Sequence, residues 1–143
     1  MAFQRILVPF DSSSYSKKAF ERALGMAKNF NGKIFLLTIV QGPYMGKPYK
    51  TGFSKKSASS EKERVKKIVS KMSKQAEKNG VDYKSDIKYS ESVIEGILNY
   101  ADSKKIQLII MGSRGKTGFK KLLLGSVSSG VSQHAKCTVM IVK

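Results

Sequence analysis

The sequence predicts a single α/β domain, an open and mostly parallel five-stranded sheet covered by helices on both faces. Short apolar runs alternate in order with stretches of helical period along the whole chain, the pattern that βαβ units require. Asn-Gly pairs at 31–32 and 79–80 close two of the helical stretches, as left-handed helix stops do. The 143 residues suit one core, with no linker, repeat or low-complexity tract to divide it.

Ile6, Leu7 and Val8, stopped by Pro9, read as a buried parallel strand. Asp11-Ser12-Ser13-Ser14 offers several helix caps, and Tyr15, Ala19, Ala23, Met26, Ala27 and Phe30 recur behind it at helical spacing. A second strand spans Ile34 to Val40. Gln41-Gly42-Pro43 then opens a loop to about Ser57 that holds Tyr44, Gly46, Pro48, Gly52 and Phe53. Ser60-x-x-Glu63 forms a capping-box pattern for a second helix with the stripe Val65, Ile68, Val69, Met72 and Ala76. Lys62, Lys66, Lys67, Lys71, Lys74 and Lys78 lie on its other face.

Val81, Tyr83, Ser85 and Ile87 alternate with polar residues, as in a half-exposed strand near a sheet edge. Val93, Ile94, Ile97, Leu98 and Ala101 mark a third helix. Ile106 to Met111 is a strand that is apolar apart from Gln107. A glycine-rich loop follows, then a fourth helix from about Ser126 to His134 and a last strand from Val139 to Val142.

The charge is the unusual number. Twenty-seven Lys and Arg against ten Asp and Glu give a formal +17, which draws anions such as nucleotides, nucleic acid or acidic surfaces. Lysine supplies most of it, which disfavours bidentate reading of base edges. Cys137 is the sole cysteine, so no internal disulfide forms and a reducing compartment is expected. No apolar run approaches the roughly 20 residues of a membrane span. The N-terminus has no features of a secretory signal. The expected location is the cytoplasm.

The segment richest in chemistry runs from Gly112 to Ser126, GSRGKTGFKKLLLGS, between a buried strand and a helix. Glycines let backbone N–H groups approach an anion closely, and the helix start near Gly125 and Ser126 favours negative charge. Ser126 could contact a phosphate oxygen or only cap the helix. Gly115-Lys116-Thr117 resembles the end of a P-loop. The match fails because Ile110 stands where that pattern needs its first glycine.

Gly112-x2-Gly115-x9-Gly125-Ser126 matches the G-2x-G-9x-G-[S/T] signature of the ATP-binding branch of the universal stress proteins. The segments LIIMGSRGKTGFKKLLLGSVSSGVSQHAKCTVMIVK and ILVPFDSSSYSKKAF also resemble that family, and Gln41 to Tyr89 does so least. The resemblance implies an adenine nucleotide alpha hydrolase-like sheet in the order 3-2-1-4-5 and homodimers paired through the final strand, residues 139–142. It implies ATP, or ADP or AMP, bound at the carboxyl end of the sheet with Mg²⁺ or Mn²⁺ held through the phosphates and not by side chains. Carried onto this sequence, Pro9 and Asp11 would line the adenosine, and the backbone of Val40 would meet adenine. Met111 and Gly112 would flank the ribose. Gly115, Gly125, Ser126 and Val127 would hold the phosphates. Three positions depart from the family pattern: Gln107 where aspartate is common, Thr138 in place of proline, and Ser90-Glu91-Ser92 without the small glycine.

Blander roles stand beside these. Asp11 could cap the first helix. His134 could partner a helix dipole, and alone it rules out a histidine metal cluster. Cys137 reads as a small core residue, and Ser12 to Ser14 as caps. Arg114, Lys116, Lys120 and Lys121 could neutralise phosphate or simply be solvated. The leading functional expectation is a nucleotide-dependent regulatory or stress-response module with no dedicated base for hydrolysis. A slow ATPase or phosphotransferase is one alternative. A basic nucleic-acid-binding protein is the other, resting on the charge and on Tyr44, Tyr49 and Phe53 among the lysines of residues 47–78.

Overall fold

The computed structural model describes residues 3–41, 55–115 and 124–143. Its elements follow the order β1 (Arg5–Pro9), α1 (Ser14–Phe30), β2 (Lys33–Val40), α2 (Lys55–Lys78), β3 (Asp82–Tyr89), α3 (Val93–Ser103), β4 (Leu108–Gly112), α4 (Ser126–His134) and β5 (Thr138–Val142). The five strands form one sheet in the order β3-β2-β1-β4-β5, and every adjacent pair is parallel. Both the class and the strand order agree with the sequence reading.

The central strands explain the layering. Ile6, Leu7 and Val8 are wholly buried, as are Leu108, Ile109 and Ile110. Successive side chains of a strand point to opposite faces, so both faces must be covered. Ile6, Val8, Leu108 and Ile110 pack with Ala19, Phe20 and Ala23 of α1 and with Met72 and Ala76 of α2. Leu7, Ile109 and Met111 pack with Ile97, Tyr100 and Ala101 of α3 and Val131 of α4. Each fully buried aliphatic side chain contributes about 1.5–3 kcal/mol relative to an exposed one. β3 at the sheet edge is alternately half-buried and exposed along much of its length, as its polar alternation predicts.

Local chemistry sets the helix ends. Ser13 is the cap of α1, its hydroxyl accepting the Ser16 N–H at 3.1 Å. Asn31 ends the helix in the left-handed region, φ 52°. Gly32 follows because a Cβ there would lie 2.8 Å from the Phe3 carbonyl oxygen. Ser92 caps α3 by accepting the Glu95 N–H at 3.2 Å. α2 corrects one expectation: it starts at Lys55, so the capping-box pair Ser60 and Glu63 lies inside it. The stretch Lys55–Ser59 contains neither Gly nor Pro, and nothing in it stops the helix from extending upstream. The expected loop residues 42–54, with Tyr44, Tyr49 and Phe53, lie outside the described residues.

Gln107, one of the departures from the family pattern, has a structural task. Its side-chain oxygen accepts the N–H groups of Gln4 and Arg5 at 2.8 and 3.1 Å, tying the start of β1 to that of β4. Replacing it by Leu, of similar volume, strands both donors. Loss of about 2 kcal/mol is expected from the cost of unmet hydrogen bonds, read as a lower urea midpoint at unchanged slope.

Tyr100 supplies a pH-dependent term. Its hydroxyl donates to Asp86 Oδ2 at 2.5 Å, and burial first, then this carboxylate, pushes its phenol well above the usual 10.0. A phenol harder to ionise in the folded state stabilises fully below pH 10, and that contribution is lost as pH rises past the unfolded value. Stability should therefore fall above pH 10 less steeply in Tyr100→Phe than in the parent, measured by denaturation at a series of alkaline pH values.

Candidate functional site

The strand order reverses at β1. Its neighbour β2 is joined through α1 on one face, and its neighbour β4 is reached through α3 on the other. Connections leaving β1 and β4 diverge to opposite faces, so a crevice opens beyond their carboxyl ends. Pro9 and Asp11 form one wall, Met111 to Gly115 the other, and the start of α4 the floor.

On the β1 side, Phe10 N–H donates to the Leu37 carbonyl at 2.8 Å, extending the ladder by one residue. Asp11 is exposed, and its Oδ1 accepts the Ser13 N–H at 2.9 Å. That short-range turn places Ser12 at φ 67°, a conformation rare outside glycine, asparagine and aspartate. The cap of α1 is thus Ser13, while Asp11 holds the turn that precedes it.

On the β4 side the loop is tied at its base by Ser113, a buried residue that sequence reasoning did not single out. Its N–H donates to the Val142 carbonyl at 2.8 Å, and its own carbonyl accepts the Gly125 N–H at 2.7 Å. The buried Ser128 hydroxyl lies 2.9 Å from the Ser113 carbonyl and 3.1 Å from that of Gly125. Residues far apart in sequence are thereby held together at both ends of the glycine-rich loop. Their sequence surroundings, Gly112-Ser113-Arg114 and Val127-Ser128-Ser129, carried no signal that marks either serine as a tie. Residues 116–123, with Lys116, Lys120 and Lys121, lie outside the described residues.

The two walls meet closely. A Cβ at Gly115 would come within 2.7 Å of Asp11 Oδ2, so the loop backbone runs against this carboxylate. At Gly112 a Cβ would lie 2.6 Å from Tyr15 Cβ and 2.9 Å from the Tyr15 carbonyl carbon. Gly112 is therefore needed for packing against α1. Gly125 differs: its φ is −71° and a Cβ would be 3.5 Å from its nearest neighbour. Among the described residues, neither backbone conformation nor packing demands glycine there. Gly125 caps α4 without a side-chain bond, and Ser126 behind it is exposed. The first turn of α4 thus offers N–H groups and a positive dipole end with no side-chain cap among the described residues. Val127 is half-buried beside the α3 face of the core, and Met111 is buried in it.

Val40 lies in this region with a specific orientation. Its carbonyl accepts the Ser90 N–H at 3.2 Å, so its backbone polar groups face β3. The Leu37 carbonyl faces β1. Backbone groups alternate along a strand, so those of Ile39 also turn to the β1 side, beyond the last β1 pairing at Pro9 and Leu37.

Other candidates lie elsewhere. Burial raises the Cys137 thiol above its usual range, which disfavours the reactive thiolate. It borders a cavity of about 100 Å³ lined also by Leu98, Ala101, Ile106 and His134, away from the crevice. Among the described residues no group of three or more His, Cys, Asp or Glu could hold a metal ion, and no helix is long and apolar enough to cross a membrane. The two glycines should separate on substitution. Gly112→Ala is expected to cost about 1–3 kcal/mol through overpacking. Gly125→Ser, at a position where serine is a favoured cap, should leave stability within about 0.5 kcal/mol, both read from denaturant midpoints.

Comparison with known proteins agrees with this architecture. The profile of the universal stress protein family matches residues 2–143. Universal stress protein MJ0531 of Methanocaldococcus jannaschii is 33% identical over 142 residues, 99% of this chain and 82% of that one. Universal stress protein YxiE of Bacillus subtilis is 32% identical over 148 residues, covering 99% of each chain. Among solved structures, the protein MJ0577 superposes with a TM-score of 0.88 at 26% identity, covering 100% of this chain and 97% of that one. A universal stress protein solved in complex with cAMP has a TM-score of 0.74 at 23% identity, over 99% of this chain and 98% of that one. One from Arabidopsis thaliana with AMP bound has a TM-score of 0.66 at 20% identity, over 96% and 90%. With the family profile spanning nearly the whole chain and the sheet order and crevice in agreement, this chain belongs to the universal stress protein family.

Proposed function

We propose that this protein binds an adenine nucleotide, ATP foremost, in the crevice between the ends of β1 and β4, and that occupancy regulates its contacts with partners. The observation that carries the reading is Gly125: a glycine that nothing among the described residues requires, at the head of a helix with no side-chain cap among them. A phosphate resting on the N–H groups of Gly125, Ser126 and Val127 accounts for both features. The bound AMP and cAMP of the two structural neighbours support the ligand class.

In this arrangement Pro9 and Asp11 line the adenosine, with Asp11 near the ribose hydroxyls. Met111 and Gly112 flank the sugar and Gly115 lets the loop backbone close over it. The adenine edge meets the backbone at the end of β2, where the alternation of polar groups favours Ile39 over the neighbouring Val40. A divalent ion, Mg²⁺ or Mn²⁺, would come with the nucleotide and neutralise phosphate charge, since among the described residues no group of three or more His, Cys, Asp or Glu could hold one. These residues supply binding and orientation, and among the described residues we assign none to activate water, which favours a regulatory role over an ATPase or phosphotransferase. Dimerisation through β5 would give occupancy a second surface to act on.

Calorimetric titration with ATP and Mg²⁺ tests this. Saturable binding is expected in the parent, with a loss of at least about ten-fold, roughly 1.4 kcal/mol, in Gly125→Val once circular dichroism shows that variant folded. Parallel titrations with ADP, AMP and cAMP rank the nucleotides. Absence of saturable binding in the parent overturns the reading.

A further inference from the structure

The α3 face of the sheet carries a second feature, at the opposite edge from β5. Arg5 of β1 stands in register with Lys33 of β2, which pairs with Asp82 of β3. Farther along, Phe35 pairs with Lys84, Leu37 with Asp86, and Ile39 with Lys88. Alternation puts all of these side chains on one face. α3 packs over β2 and reaches β3 through the Tyr100 hydroxyl at Asp86, while Lys84 and Lys88 remain exposed.

The cations converge. The Arg5 guanidinium sits 4.8 Å from the centre of the Phe35 ring and the Lys33 ammonium 5.4 Å from it. Arg5 Nε donates to the Lys104 carbonyl at 2.7 Å, and Lys104 Nζ lies 5.8 Å from the Tyr100 ring. Lys84 Nζ is 3.8 Å from Asp86 Oδ2, the same oxygen that accepts the Tyr100 hydroxyl. The Lys84 ammonium, with Lys88 farther off, lowers the pKa of Lys104, a sign of like charges held close. Five cations, Arg5, Lys33, Lys84, Lys88 and Lys104, thus face two carboxylates, Asp82 and Asp86.

Packing explains part of this. The stems of Arg5 and Lys33 shield Phe35, and that of Lys104 shields Tyr100. Shielding needs the stems and not a local excess of charge, which costs repulsion in the free protein. Lys84 and Lys88 lie exposed along an edge strand, an arrangement that suits an extended anion. Lysine ammoniums predominate, a composition for phosphate contacts more than for base edges. The exposed lysines of α2, Lys66, Lys67, Lys71, Lys74 and Lys78, belong to the opposite layer of the sheet, so they add to the overall positive field without forming part of this patch.

We propose that the β3–β2 face built on Arg5, Lys33, Lys84, Lys88 and Lys104 binds the phosphate backbone of single-stranded nucleic acid without sequence preference. Arg5 and Lys33 stand at the amino ends of β1 and β2, at the opposite end of the sheet from the crevice, whereas Lys88 pairs with Ile39 nearer to it, so a variant at the α4 start distinguishes the two sites. The test is fluorescence anisotropy of a labelled oligothymidylate with the full chain over a range of salt. The triple variant Lys84→Gln, Lys88→Gln, Lys104→Gln is compared with the equally discharged α2 variant Lys67→Gln, Lys71→Gln, Lys74→Gln. Parent binding should weaken steeply with salt. The sheet-face variant should lose about ten-fold or more in affinity and about 2 in the slope of log K against log salt, at roughly 0.7 per phosphate contact. The α2 variant should lose clearly less, and Gly125→Val should bind the oligonucleotide as the parent does. Absence of salt-sensitive binding by the parent overturns the proposal, as does an α2 variant that loses as much. Competition by polyglutamate as effective as by unlabelled oligonucleotide also overturns it, because the partner would then be an acidic polypeptide.

Discussion

Burial of β1 and β4 on both faces is the constraint from which the rest follows. Two adjacent strands with no polar face cannot border water, so helices must cover them above and below. The chain meets this by placing α1 and α2 on one side and α3 and α4 on the other. That division sends the connections after β1 and β4 in opposite directions. The crevice between them is therefore a consequence of the hydrophobic pattern, and it exists before any ligand-binding residue is considered.

What converts a crevice into a binding site is a small number of backbone ties. The Ser113 carbonyl takes the Gly125 N–H and lies within reach of the Ser128 hydroxyl, while the Ser113 N–H is held by Val142. These bonds fix the start of α4 against the end of β4, so the helix N-terminus is aimed by the sheet and not by the loop between. Such ties are made once, on folding, and the N–H groups they orient need no rearrangement to meet an anion. The glycines divide by role: Gly112 answers to Tyr15, Gly115 to Asp11, and Gly125 to nothing within the described protein.

The same sheet places charge. Strand pairing brings Lys33, Lys84 and Lys88 onto one face with Arg5, although these residues span more than half the chain in sequence. The apolar rings beneath them, Phe35 and Tyr100, need long side chains as cover, and the lysine stems provide it. A protein of formal charge +17 thus concentrates part of that charge where its core happens to approach the surface.

The sequence by itself determined the class, the nine elements in order, the buried central strands and the glycine-rich loop, because each leaves a local signature of apolar period or turn residues. Ile6 to Val8 and the stripe from Ala19 to Ala27 needed no tertiary information. The start of α2 was misread because Ser60-x-x-Glu63 is a local start signal that a helix-compatible upstream stretch overrides. Ser113, Ser128 and Gln107 were not legible as ties, since partners lie as far as 103 residues away and serine or glutamine carries no periodic mark. The orientation of Val40 and Ile39 depended on strand register, as did the gathering of Arg5, Lys33 and Lys84. Register is decided by pairing between distant segments, and only the folded sheet fixes it.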